Sequence, residues 1–174
     1  FELALAEQKM DEVIKHLEKL SNEQNSIIQE LNENNNLLEI ASRERRQEER
    51  FKSLEEAILD ASNAIKDISP EVSEQLIELK ISDLSKNTKS DLNDARIAMQ
   101  NESEMNAKKS ATKANSGLVD MLEIANNIQS EFQEDTVDEI LRKFLALINN
   151  LLYISKSQEN IIIKSKNLRS RSPM

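Results

Sequence analysis

The chain has no Cys or Trp and very little Gly, Pro or aromatic residue. One Gly, two Pro, one Tyr and four Phe occur among 174 residues. Because Gly alone adopts positive φ at little cost, one Gly nearly excludes β-hairpins and glycine-rich phosphate loops. The absence of Cys removes disulfides and thiolate metal ligands. These shortages, with abundant Glu, Lys, Leu and Ala, predict an all-α protein built from long helices.

The acidic charge disfavours nucleic acid as a partner, since phosphate binding needs basic patches. The net charge is −9 and is unevenly distributed. Residues 135–174 hold seven basic and four acidic side chains (+3), which leaves −12 for residues 1–134. Two interpretations remain open: the basic end docks on the acidic helices, or it contacts anionic lipid or an acidic protein.

The residue inventory contains no recognisable catalytic or metal-binding set. His16 is the single histidine, and no Glu lies three residues before it, so the di-iron bundle pattern is absent. Carboxylate pairs such as Glu55–Glu56 are typical of helix surfaces, and the many Ser residues lack an activating base. We therefore expect no catalytic residues, no cofactor or metal site, no small-molecule substrate and no enzymatic activity.

Residues 1–41 follow a heptad pattern with few interruptions, which predicts a helix with one buried seam. Two of the seam positions are polar, Gln24 and Asn34, and such residues commonly fix register. The seam consists of Leu3, Met10, Leu17, Gln24, Leu31 and Leu38 at one position and Ala6, Val13, Leu20, Ile27, Asn34 and Ala41 at the other.

The charged segment from Ser42 to Arg50 has mixed signs at helical spacing, which indicates a solvated helix rather than a turn. An apolar seam resumes after it, displaced by one residue, at Phe51, Leu54, Ile58, Ala61, Ile65 and Ile68. We predict one helix over residues 1–68. The alternative is a break at Asn34-Asn35-Asn36, where helix propensity is lowest.

The sequence Ser69-Pro70-Glu71 predicts a new helix, because Ser caps, Pro suits the first helical position and Glu complements the dipole. This second helix is predicted over residues 70–133. A close crossing by a neighbouring helix explains Gly117 within it better than a turn does. Its predicted core residues are Val72, Leu76, Leu79, Leu84, Leu92, Ala95, Met99, Ala107, Ala111, Ala114, Leu118, Met121, Ala125, Ile128 and Phe132.

Thr136 followed by Glu139 forms a capping-box pattern, which predicts a third helix over residues 136–172. Its apolar stripe is broader than a heptad seam, so we expect this helix to bury more of its circumference than the others. The predicted fold is thus an elongated antiparallel bundle, or coiled coil, of about three long helices. The third is the shortest and packs on the hairpin of the first two.

No secretory signal or membrane span is recognisable, since the longest apolar-rich run, from Phe144 to Ile154, is too short to cross a bilayer. The chain begins with Phe1 and stops soon after Pro173. We interpret it as a fragment of a longer protein.

Residues 70–174 carry a pattern of acidic start, Arg, apolar run with paired Asn, and a basic end near Pro. The residues are Glu134-Asp135, Arg142, Ile148-Asn149-Asn150-Leu151, Ile154-Ser155-Lys156-Ser157-Gln158-Glu159 and Arg169 to Pro173, preceded by Ala95, Met99, Asn101, Ala107, Lys109-Ser110, Ala114, Leu118 and Met121. This pattern resembles the C-terminal helical region of large membrane-anchored envelope proteins of unknown function from Bacteroidetes-type bacteria. The resemblance implies an envelope location, a membrane anchor upstream and a stalk or scaffold role.

We therefore expect a structural scaffold or protein-interaction segment that engages protein partners or self-associates through its helices. The alternative is a regulatory adaptor that couples to an ATPase or transport machine. The two differ in what the acidic helices bind.

Overall fold

A computed structural model describes residues 2–33 and 36–169, with side chains up to residue 164. All of its regular elements in these residues are helices, which confirms the predicted all-α class. They are α1 (Glu2–Asn32), α2 (Leu37–Ile65), α3 (Pro70–Ile81), α4 (Asp83–Gln100) and α5 (Glu104–Arg169). The chain divides into two units, Phe1–Gln133 and Glu134–Met174.

The helices of the first unit run alternately up and down. Where hydrogen bonds join neighbouring helices, the residue numbers of the partners increase along one helix and decrease along the other, as antiparallel packing requires. If α3 and α4 are counted together as one helical segment, the described part of this unit is an antiparallel bundle of four segments. This confirms the predicted bundle, but the number of segments exceeds the three helices expected. The pairs are Leu20–Gln47 and Gln24–Glu44 (α1–α2), Glu55–Lys89 and Glu48–Arg96 (α2–α4), Gln75–Glu131 (α3–α5), and Asp11–Gln129 and Asn25–Asn115 (α1–α5).

The prediction of one helix over residues 1–68 is wrong, because α1 ends at Asn32 and α2 begins at Leu37. The Asn36 side chain accepts a hydrogen bond from the Leu38 backbone N–H at 3.1 Å and so caps α2. Asn favours caps over helix interiors, which explains why the alternative position was the correct one. Asn34, a predicted seam residue, lies outside the described residues.

The second predicted helix, over residues 70–133, is also interrupted. It starts at Pro70 as expected, but Ser82 ends α3 and caps α4, its hydroxyl accepting from the Ser85 N–H at 3.1 Å. Sequence reasoning missed this cap because no Pro or Gly marks it. The Ser-Asp pair at residues 82–83 was the available signal.

The break between α4 and α5 is a Schellman motif with an unusual residue at its left-handed position. Glu102 has φ 56° and its N–H bonds the Met99 carbonyl at 3.1 Å, while the Ser103 N–H bonds the Ala98 carbonyl at 2.9 Å. Gly normally occupies this position because it has no Cβ. The scarcity of Gly therefore did not exclude a turn here, and a Glu adopts the positive φ instead.

The third predicted helix, over 136–172, does not start at Thr136, since α5 continues through it from Glu104 to Arg169. No Gly or Pro occurs between Gly117 and Pro173, so nothing in the sequence interrupts the helix and the Thr136–Glu139 pattern does not act as a cap. Residues 170–172 lie outside the described residues. The expectation that this helix buries more of its circumference than the others is wrong as well, because its apolar side chains from Val137 to Ile163 are exposed.

Buried side chains of the first unit form two apolar clusters stacked along the bundle. Most predicted seam residues are buried as expected, whereas Leu38 is 55 % exposed because α2 sets a new register. Leu3, Ile68 and Leu84 are only partly buried. The larger cluster centres on Met10, Leu17, Phe51, Ile58, Leu76, Leu118 and Phe132, and the smaller contains Ile27, Leu31, Ile40, Ala41, Ala95, Ala98, Met99, Ala107 and Ala111.

Gly117 marks the close approach of α4 and α5, which confirms the predicted close crossing. A Cβ built on Gly117 would collide with the Thr88 hydroxyl oxygen and lie 3.1 Å from the Thr88 Cβ. The Thr88 hydroxyl is held in place by donating to the Leu84 carbonyl at 2.8 Å. Any larger residue at 117 therefore displaces either a helix or a bonded side chain.

We predict that Leu31→Asp destabilises the bundle severely, whereas Leu151→Asp changes its stability by less than about 0.5 kcal/mol. Leu31 is fully buried, so the variant loses apolar contacts and buries a charge, costing on the order of 4 kcal/mol or more. Leu151 is 57 % exposed. Urea unfolding at low protein concentration, followed by circular dichroism, measures both; equal losses would contradict this core.

We predict that Gly117→Ala lowers stability although Ala is the better helix former by about 1 kcal/mol. The added methyl overpacks the crossing, at a cost of roughly 1–3 kcal/mol. Adding Thr88→Ala removes the colliding hydroxyl and should recover most of the loss in a double-mutant cycle. A stabilised single variant, or no coupling between the two changes, would show that the helices are not in tight contact here.

Candidate functional site

A layer of three polar side chains, Gln24, Glu44 and Gln47, lies between the two apolar clusters. We call it the polar layer. All three side chains are fully buried. On α1 it separates Leu20 of the larger cluster from Ile27 of the smaller, and Gln24 is thus buried as the seam predicted.

Hydrogen bonds join the polar layer across α1 and α2. The Gln24 Nε2 donates to both carboxyl oxygens of Glu44, at 2.9 and 3.1 Å. The Gln47 Nε2 donates to the Leu20 carbonyl at 2.8 Å and to the Gln24 Oε1 at 3.3 Å. Because a buried polar group without partners is costly, these bonds fix how α1 and α2 align.

Burial raises the pKa of Glu44 from 4.5 to about 8. Removal from water disfavours the charged form and outweighs the opposing hydrogen bond from Gln24, and the negative charge of Glu48 adds to the rise. At neutral pH the group is therefore mostly a neutral acid. In this neutral form Glu44 needs no buried cation beside it.

Residues 42–50 are helical, as predicted. The prediction that the whole segment is exposed to solvent is wrong. Glu44 and Gln47 face the core, which a mixed-charge segment did not suggest. Arg43 instead reaches across to α1, where its Nη2 lies 2.8 Å from the Glu23 carboxylate and its Nη1 pairs with Glu30. The hydrogen bond from Arg43 holds the pKa of Glu23 below its usual range.

The second unit contains the largest group of exposed apolar side chains in the described chain. We call it the apolar stripe. Leu151 is 57 % exposed and Tyr153 74 %, whereas the exposed apolar residues of the first unit are scattered singly. Exposed apolar side chains in such number usually mark a binding site. Its members are Val137, Ile140, Leu141, Phe144, Leu145, Leu147, Ile148, Leu151, Leu152, Tyr153, Ile154, Ile161, Ile162 and Ile163.

Polar residues interrupt the apolar stripe. Asn149, Asn150 and Lys156 lie within its length, and Lys143 pairs with Glu139 at 2.7 Å on its polar side. Over residues 2–33 and 36–169, every helix is too short or too polar to span a bilayer.

Two surface clefts of the first unit are polar and open. One, of about 390 Å³, lies where α4 meets α5 and includes Asp91, Asp94 and Lys113. Burial raises the pKa of Asp91, opposed by the positive charge of Lys113 and assisted by Asp94. The other, of about 360 Å³, lies between Arg45 and Arg96.

The residues considered for chemistry in the sequence are distributed over the surface. His16 is exposed, and Glu55 pairs with Lys89 at 2.6 Å. Within the described part of the chain, no three His, Asp or Glu side chains converge in a way that could hold a metal ion. Met10, Met99 and Met121 fill the core as expected, but Met105 is 80 % exposed.

Comparison of the chain with family models, curated proteins and solved structures gave no match.

The buried carboxyl group predicts a specific pH dependence of stability. Folded Glu44 keeps its proton up to about pH 8, whereas the unfolded chain releases it near the ordinary glutamate pKa of 4.5. The stabilisation that Glu44 contributes is therefore fully present below the unfolded pKa of 4.5. It is lost as the pH rises towards the folded pKa of about 8, by on the order of a few kcal/mol in the free energy of unfolding.

Glu44→Gln keeps the size and hydrogen-bonding capacity of the side chain but cannot titrate. Relative to this variant, the wild-type free energy of unfolding should fall between about pH 5 and pH 8. Glu56→Gln, at an exposed position, makes the same change in charge and should follow the wild type. Parallel stability profiles for wild type and Glu44→Gln in urea titrations would refute the raised pKa.

Proposed function

We propose that this chain is a non-enzymatic helical scaffold whose C-terminal helical segment binds proteins. The apolar stripe is the observation that supports this function. Its side chains from Val137 to Ile163 are about half exposed, although an apolar surface of this size is unfavourable in water. Binding of another protein surface would remove it from water.

The bundle of the first unit suits a support rather than a catalyst. Its core is continuous apart from the polar layer, and its polar surface groups are engaged in cross-helix pairs such as Lys89–Glu55 at 2.6 Å. The resemblance of residues 70–174 to membrane-anchored bacterial envelope proteins supports placing the scaffold in the cell envelope.

Photocrosslinking in the cells that make the protein tests this function. A benzoyl-phenylalanine replaces Leu152 in the apolar stripe, and in a second variant it replaces Met105 in the first unit. Both side chains are well exposed, at 58 % and 80 %, so they differ in location rather than in access. We expect protein adducts from position 152, including envelope proteins or a second copy, and few from position 105.

An absence of adducts from position 152, or equal yields from both positions, would contradict a binding role for the apolar stripe. Recovery of an ATPase or a transport component in the adduct would favour the adaptor function over the scaffold.

A further inference from the structure

The exposed apolar stripe contains a regular seam. Alternating steps of three and four residues connect Val137, Ile140, Phe144, Leu147, Leu151, Ile154, Gln158 and Ile161. This is the a/d spacing of a coiled coil, and its apolar members are 51–66 % exposed. Leu141 and Ile148 widen the seam on one side. The shape that fits such a seam is another helix with the same spacing.

The charges of this segment run in a gradient along the helix. Glu134, Asp135, Asp138 and Glu139 lie at its start, ahead of Arg142 and Lys143. Lys156, Lys164, Lys166 and Arg169 lie towards its end, with Glu159 the one acidic residue among them. Two parallel copies would place like charges together at both ends. Two antiparallel copies place the acidic start of each beside the basic end of the other, which favours that orientation.

We propose that residues 137–161 pair with the same segment of a second copy of this chain as an antiparallel coiled coil. This inference rests on the proposed function and names its partner. The seam sets the register: Leu147 lies opposite Leu151 of the second copy, Phe144 opposite Ile154, and Val137 opposite Ile161. In that register the acidic start of each helix, at Glu134, lies level with Lys164 of the second copy along the helix axis.

The flanks of the pair are compatible with this register. Along one flank Lys143 lies near Ser157 of the second copy, and Asn150 lies near its own counterpart, so no like charges meet. Leu141 and Ile148 line the other flank and add apolar contact. The single polar seam residue, Gln158, falls opposite Ile140 near each end, where water reaches it.

Light scattering on the purified full chain gives the first test. We expect twice the mass of one chain at micromolar concentration and a monomer for the double variant Leu147→Asp, Leu151→Asp. Ile163→Asp is the matched control, because Ile163 is as exposed as Leu151 (56 % and 57 %) but lies on the opposite side of the helix. It should remain dimeric. A monomeric wild-type chain would overturn the pairing.

Disulfide trapping tests the orientation, since the chain has no Cys of its own. A tagged Val137→Cys chain mixed with an untagged Ile161→Cys chain should give a mixed disulfide, and neither variant alone should crosslink efficiently. Each variant chain carries a single Cys, so a bond within one chain is excluded. Crosslinking of each variant with itself would indicate parallel pairing and overturn the proposal.

Flotation with vesicles of phosphatidylcholine and phosphatidylglycerol separates a lipid surface from a second copy. Binding that is lost in Leu147→Asp, Leu151→Asp, by a chain that is monomeric in solution, would assign the apolar stripe to a membrane and overturn self-pairing. A wild-type chain that is monomeric in solution but still gives protein adducts at position 152 would also overturn self-pairing, while leaving the binding function intact.

Discussion

The structure of the first unit depends on how α1 and α2 align, and the polar layer is what distinguishes one alignment from another. Apolar seams of Leu, Ile and Ala tolerate a shift of one heptad with modest change in contacts. A shift would leave Glu44 and Gln47 buried among apolar groups without their partners on α1, which costs far more. Gln24 therefore fixes the alignment of α2 on α1.

Glu44 achieves this alignment without a buried charge. A carboxylate in the core would need a cation beside it, and Arg43, its neighbour in sequence, is instead paired with Glu23 and Glu30. Keeping its proton lets the group serve as a neutral hydrogen-bonding element at neutral pH. Stability and pH are coupled as a result, since folding takes up a proton that the unfolded chain lacks.

The two units use the same kind of residue for opposite purposes. In the first unit the heptad positions are buried, as Leu31 is in the smaller apolar cluster. Small residues such as Ala111 and Gly117 let helices approach closely there. In the second unit, heptad positions from Val137 to Ile161 are exposed. The difference supports our assignment of stability to the first unit and of recognition to the second.

The sequence by itself determined the helical class, the heptad positions of α1, the start of α3 at Pro70 and the close crossing at Gly117. These features depend on local propensity, periodicity and steric size, which neighbouring residues carry. Only the tertiary structure decided which residues break the helices, as at Asn36, Ser82 and Glu102, because competing caps differ by about 1 kcal/mol and packing chooses among them. It also decided that Glu44 is buried and Leu151 exposed, since periodicity defines an apolar face but not whether anything covers it.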